Sequence, residues 1–146
     1  MAWFGRKRPI PDGLWMRCDA CSQMVYKREV EQDLWVCPKC QYHFSLSVPQ
    51  RIKILLDEGT FEEFDADIAP TDPLHFVDRI PYTDRLAEYQ EKTGLIDAVV
   101  IGRGAVDGRP AFFGFMDSRF IMASMGSVVG EKITRVQKTF GDLFEA

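Results

Sequence analysis

The sequence predicts an α/β protein in which a small cysteine-anchored ribbon precedes a mixed unit of helices and strands. Three observations carry this. Two C-x2-C pairs, Cys18/Cys21 and Cys37/Cys40, stand fifteen residues apart, the spacing of a four-cysteine zinc ribbon. Two apolar runs meet at Asp107–Gly108, a strong hairpin signal. Apolar residues then recur at three- and four-residue steps near the end of the chain, as one helix face requires. With 146 residues, 46% of them hydrophobic, the chain can build such a module and the core of a larger unit.

The ribbon is assigned to residues 14–46, where short apolar segments around Met24–Val25–Tyr26 and Leu34–Trp35–Val36 predict two small hairpins. The second unit, 47–146, opens with a helix. Ser47-Val48-Pro49-Gln50 has the capping-box pattern, and proline costs little in a first turn whose N–H groups lack intrahelical partners. Ile52, Leu55 and Leu56 give that helix one apolar face, and Gly59 supplies a left-handed residue to end it. Thr60-Phe61-Glu62-Glu63 repeats the capping pattern and predicts a second short turn.

Three prolines and few periodic apolar positions make Asp65 to Pro81 an extended connection. Thr83 to Thr93 reads as a helix closed by Gly94. Ala98–Val106 and Arg109–Met116 are the two hairpin strands, with Pro110 near a strand's beginning or on an edge, where its missing N–H is tolerated. A strand then leads through Ser124-Met125-Gly126-Ser127 into a final helix carrying Val129, Ile133, Val136, Phe140 and Leu143 on one side.

A net charge of −4 and a pI near 5.2 give the bulk electrostatics no preference for a polyanionic partner. No apolar run approaches the roughly 18 residues of a membrane-spanning helix, and no apolar stretch follows the N-terminal charges, so a cytoplasmic protein with no membrane association is expected. Acidic residues crowd the middle of the chain and Arg6, Lys7 and Arg8 its start; both runs read first as solvated surface.

Paired cysteines in a reducing compartment favour a metal over disulfides. Two residues between ligands let the backbone turn and aim both thiolates at one ion, and the intervening hairpin brings the second pair round to complete a tetrahedron. With all four positions filled by Cys18, Cys21, Cys37 and Cys40, the expected zinc is structural. An iron site or redox dithiols are the alternatives, although neither pair has the βαβ setting that dithiol chemistry uses. His43 and His75 are read as packing or hydrogen-bonding residues. Ser22 and Gln41 follow the second cysteine of each pair, where a positive φ would strain them. At the other end, a small-residue loop before a helix exposes N–H groups to an anion or oxyanion. Ser124 and Ser127 are poor nucleophiles, since no histidine follows them.

Cys18-Asp19-Ala20-Cys21 and Cys37-Pro38-Lys39-Cys40, with Leu55–Phe61, Asp72–Phe76, Tyr82–Leu86, Lys92-Thr93-Gly94 and Ser124–Lys132, together resemble the carboxyltransferase β subunit of bacterial and plastid acetyl-CoA carboxylase. The likeness runs from about Gly13 to Val136. It implies a zinc ribbon followed by the N-terminal part of a crotonase-type (ClpP/crotonase-like) CoA carboxyltransferase domain. It also implies a carboxyltransferase α subunit, a biotin carboxyl carrier protein bearing the biotin, and biotin carboxylase as partners, and acetyl-CoA and malonyl-CoA as substrate and product. Ser124, Met125 and Gly126 are the implied CoA contacts; no catalytic residue is carried over.

Two departures qualify the resemblance. Met122 and Ala123 stand where the family usually has two glycines. The chain ends at Gly141–Ala146 without the family's Ser-Gly-Gly-Ala-Arg segment, so taken alone it is expected to lack carboxyltransferase activity, with an exposed Val129, Ile133, Val136, Phe140 stripe. A competing reading is a ribbon that binds nucleic acid weakly: up to Ser47, seven cations face five acidic residues, an excess of two. A third is a non-catalytic interaction protein at the α subunit's docking surface.

Overall fold

A computed structural model describes residues 13–144. Arg6, Lys7, Arg8 and Asp12, counted above among the ribbon's charges, lie outside them. Contacts divide the chain between Ser45 and Leu46 into two compact units.

In the first unit, β1 (Trp15–Arg17) pairs antiparallel with β2 (Met24–Tyr26), in the register Met16 opposite Val25. The second expected hairpin is replaced by α1 (Lys27–Gln32) and a lone bridge between Val36 and His43. The physical reason lies at Leu34 and Trp35, whose φ values of 52° and 64° reverse the chain where a strand would need extended backbone. Val25, Val30, Cys18, Cys37 and Phe44 form the unit's small core.

The second unit begins with α2 (Val48–Leu55), where Gln50 Oε1 accepts from the Ser47 N–H at 2.7 Å and hydroxyl at 2.8 Å. The helix stops at Leu55, so Gly59, at φ 73°, serves the following turn instead of ending it. Glu62–Glu63 is a short strand, β3, and no helical turn: it pairs antiparallel with Arg103 and Gly102. Residues 65–81 are irregular, as expected, and α3 (Tyr82–Thr93) follows, closed by Gly94 at φ 72°. Next come β4 (Val99–Val106) and β5 (Arg109–Met116), joined through Asp107 and Gly108 at φ 50° and 73°. Pro110 sits opposite Ala105, second in its strand. Asp57 braces the turn by accepting from the N–H groups of Asp107 (3.1 Å) and Gly108 (2.8 Å).

The antiparallel sheet has the order β3-β4-β5. Its period-two alternation buries both faces. Val99 and Ile101 pack with Leu86, Phe120 and Val129, while Val100, Phe113 and Phe115 pack with Val48, Ile52 and Leu56 of α2 and its end. Helix α4 (Ser127–Phe144) lies against β4 and β5. Val129 is fully buried and Val136 packs on the same core, contrary to the expected exposed stripe; only Ile133, 39% exposed, keeps that character, and the side chain of Phe140 lies outside the described residues. No helix among the described residues is long and apolar enough to cross a membrane.

Candidate functional site

Two knuckles with the same hydrogen bonding carry the four cysteines. In the first, the Ser22 N–H donates to the Cys18 carbonyl at 2.9 Å and the Cys18 N–H to that of Gln23 at 3.0 Å. In the second, Gln41 donates to Cys37 at 3.0 Å and Cys37 to Tyr42 at 2.8 Å. Closing such a turn requires a left-handed residue after the second cysteine. Ser22 and Gln41 occupy that position at φ 58° and 64°, the strain expected of them.

The four sulfurs lie within 4.8 Å of one another, with Cys18 Sγ 3.7 Å from Cys40 Sγ and Cys21 Sγ 4.0 Å from Cys37 Sγ. A Zn–S distance of about 2.3 Å sets the edge of a regular thiolate tetrahedron at about 3.8 Å, so the donor set fits zinc in size as well as number. Cys18 and Cys37 are buried, Cys21 is partly so and Cys40 is exposed. Burial pushes the Cys37 thiol up, but the N–H groups of Lys39 and Cys40 and contacts with the Cys18 and Cys40 sulfurs bring it down to about 7. The Tyr42 N–H favours the Cys40 thiolate, yet the partial loss of solvent around its sulfur, though the residue as a whole is exposed, and the facing sulfurs of Cys21, Cys37 and Cys18 push it up to about 12. One thiolate forms readily here; four need a cation among them. His43 is not a member of the cluster and meets Val36 through its backbone.

Ser124, Met125 and Gly126 form a second, contiguous and exposed segment immediately before α4. No strand leads directly into it. After β5 the chain turns through Asp117–Phe120 into a 3-10 turn, Ile121–Ala123, whose three residues sit at φ 42°, 52° and 57°. Met122 and Ala123, which stand where the resembled family usually has glycines, thus hold a left-handed conformation. The Met122 side chain is 84% exposed and that of Met125 72%. The Ser124 hydroxyl donates to the Ile121 carbonyl at 2.6 Å, which engages it locally. Beyond Gly126, the first turn of α4 presents N–H groups without intrahelical acceptors, a setting that favours an anion.

Two supports of this segment escaped the sequence reading. The Tyr82 hydroxyl faces Gly126, 3.8 Å from where a Cβ would stand. Asp117, fully buried, accepts from Arg119 Nε at 2.9 Å and Nη2 at 2.6 Å, and from the N–H groups of Arg119 (3.0 Å) and Val48 (3.4 Å), tying the turn after β5 to the start of α2. Asp117 carried a faint signal, an aspartate two residues from an arginine just past a strand; Tyr82 carried none beyond its place in a resembled segment.

Residues 15–40 match the acetyl-CoA carboxylase zinc finger domain. Over 129 residues, 88% of this chain, the sequence is 53% identical to the acetyl-coenzyme A carboxylase carboxyl transferase subunit beta of Synechococcus sp. (strain JA-3-3Ab), of which the match covers 41%. Over most of its length the chain is similar to this carboxyltransferase β family. Members in Rhodopirellula baltica, 49% identical over 90% of the chain and 42% of their own length, and in Carboxydothermus hydrogenoformans, 48% identical over 88% and 45%, carry the same name. The chain spans under half the length of these curated β subunits. A match of 129 residues is longer than either compact unit, so the β-family likeness takes in residues of both. A nucleic-acid role for the ribbon gains nothing: Lys27 is paired with Glu31 at 3.9 Å.

Proposed function

We propose that this chain supplies part of the β side of an acetyl-CoA carboxylase carboxyltransferase. That enzyme moves a carboxyl group from carboxybiotin to acetyl-CoA, giving malonyl-CoA for fatty acid synthesis. The single observation that carries the reading is the identity of about half of all matched residues, over nearly nine-tenths of the chain, to proteins of that name. In this reading residues 14–46 are the ribbon and 47–146 the N-terminal part of a crotonase-type domain. Its partners are the α subunit, the biotin carboxyl carrier protein and biotin carboxylase, in the cytoplasm.

Cys18, Cys21, Cys37 and Cys40 hold one structural zinc, which fixes the ribbon and leaves no open coordination position for substrate. Ser124, Met125 and Gly126 contact CoA. Carboxylation of an acetyl thioester passes through an enolate, whose negative oxygen is stabilised by fixed N–H donors; the first turn of α4 supplies such donors, whereas the Ser124 and Gly126 N–H groups already donate to the Ile121 and Ser124 carbonyls. Tyr82 lies against Gly126, and Asp117 ties the turn that leads to the segment to the start of α2.

A chimaera tests this reading. Residues 14–136 replace the equivalent stretch of a full-length β subunit from a relative, which is then paired with that relative's α subunit. Malonyl-CoA formation from carboxybiotin and acetyl-CoA is the expected result; a folded, zinc-loaded chimaera without turnover would contradict it.

A further inference from the structure

Lysine is seldom fully buried, because its ammonium loses hydration that few interiors replace. Lys132 of α4 is nevertheless only 2% exposed, and Asp97, just before β4, only 6%. Both line one cavity of about 240 Å³, whose rim includes Glu63 of β3 and Gly94 after α3. Asp97 Oδ1 accepts from the Ala98 N–H at 2.6 Å, and the Lys132 charge favours the ionised carboxylate. Among the described residues no direct ion pair joins them. A space of this size holds several waters, and a buried water placed between an ammonium and a carboxylate finds the polar partners it needs.

We propose that Asp97 and Lys132 form a water-bridged charge clamp that fixes α4, and with it the Ser124–Gly126 segment, against the start of β4. Lys132 lies five residues beyond Ser127, about 7–8 Å along a rigid helix, so the clamp grips α4 close to its N-terminal end. The neighbouring groups agree with this placement. The Ala98 carbonyl accepts from the Asp117 N–H at 2.8 Å on the strand side. Tyr82, whose phenol feels the Asp97 charge, lies against Gly126. Burial pushes the Asp97 carboxyl up, and the Ala98 N–H and, less strongly, Lys132 oppose that rise. Asp97 and Lys132 are positioning residues. Their effect on acyl-CoA rests on the function proposed above; the clamp itself does not.

The test is carbon-detected titration of the Asp97 carboxyl in the full chain. In Lys132→Met the midpoint is expected to rise by about one pH unit or more, because the opposing cation is gone; an unchanged midpoint overturns the clamp. Should that variant not fold, the wild-type Lys132 ammonium signal decides: it is expected to exchange slowly with water and to shift as Asp97 titrates, and a fast-exchanging, pH-insensitive signal overturns the proposal. For positioning, the Met125 methyl resonance is read at a temperature where every variant is folded. Lys132→Met and Asp97→Asn are each expected to move it, and the double variant to move it no further. A Met125 signal unmoved by either single change contradicts the positioning role, whether or not the chain binds acyl-CoA.

Discussion

Asp117 is a fully buried carboxylate that joins the turn after β5 to the start of α2. Burial alone would raise its carboxyl, but the bonds from Arg119 and the Val48 N–H hold it below the usual carboxylate range. A depressed folded value contributes stability above the unfolded pKa of about 3.9 and loses it as pH falls through the folded value. Asp117→Asn is therefore expected to cost about 1.5–3 kcal/mol at neutral pH and to flatten the acid limb of the stability profile, as read by urea titrations between neutral and acidic pH. Met122 presents the opposite case. At φ 52° and ψ 33° it pays for a left-handed backbone, so Met122→Gly is expected to raise stability by up to about 1 kcal/mol in the same assay. At this scale the sequence was legible wherever a residue's chemistry is its function: four cysteines at fixed spacing could do little else. It was silent at Asp97, Tyr82 and Lys132, because burial of a polar side chain depends on neighbours remote along the chain.

Elements were legible where a local signal had no competitor. The capping box at Ser47, the left-handed Gly94 and the Asp107–Gly108 turn each act over four residues or fewer, and each formed as read. Apart from the local reversal at Leu34 and Trp35, the misreadings have a long-range cause. Thr60–Glu63 has a helix-start pattern, but pairing with Arg103 and Gly102 satisfies its backbone from forty residues away and draws it into the sheet. That pairing depends on Gly102, where an added Cβ would stand 2.5 Å from the Glu62 carbonyl oxygen and 2.6 Å from the Phe61 ring. Gly102→Ala is expected to destabilise the second unit by about 1–3 kcal/mol through this overlap. Gly130→Ala, with nothing within 4 Å of the new methyl, is expected to stabilise α4 by about 0.5–1 kcal/mol. Equal effects at the two glycines, measured by thermal unfolding, would show that the close approach of β3 to β4 is not what glycine permits there. The mistaken exposure of Val129 belongs here too, since helix periodicity identifies an apolar face without identifying what covers it.

At the scale of the whole molecule, the two units depend on different physics. The second buries both faces of a sheet between helices and draws its stability from apolar area. Among the described residues the first has five buried core residues, two of them cysteines, too few to hold the ribbon together without a metal. Metal binding and folding of the ribbon are then one event. The claim on which everything in the first unit rests is the zinc on four thiolates. Native mass spectrometry of the full chain tests it most directly. One zinc per chain, lost in Cys37→Ser together with the near-ultraviolet signal of Trp15 and Trp35, is the predicted result; iron in place of zinc, or a metal-free chain with its ribbon intact, would contradict it.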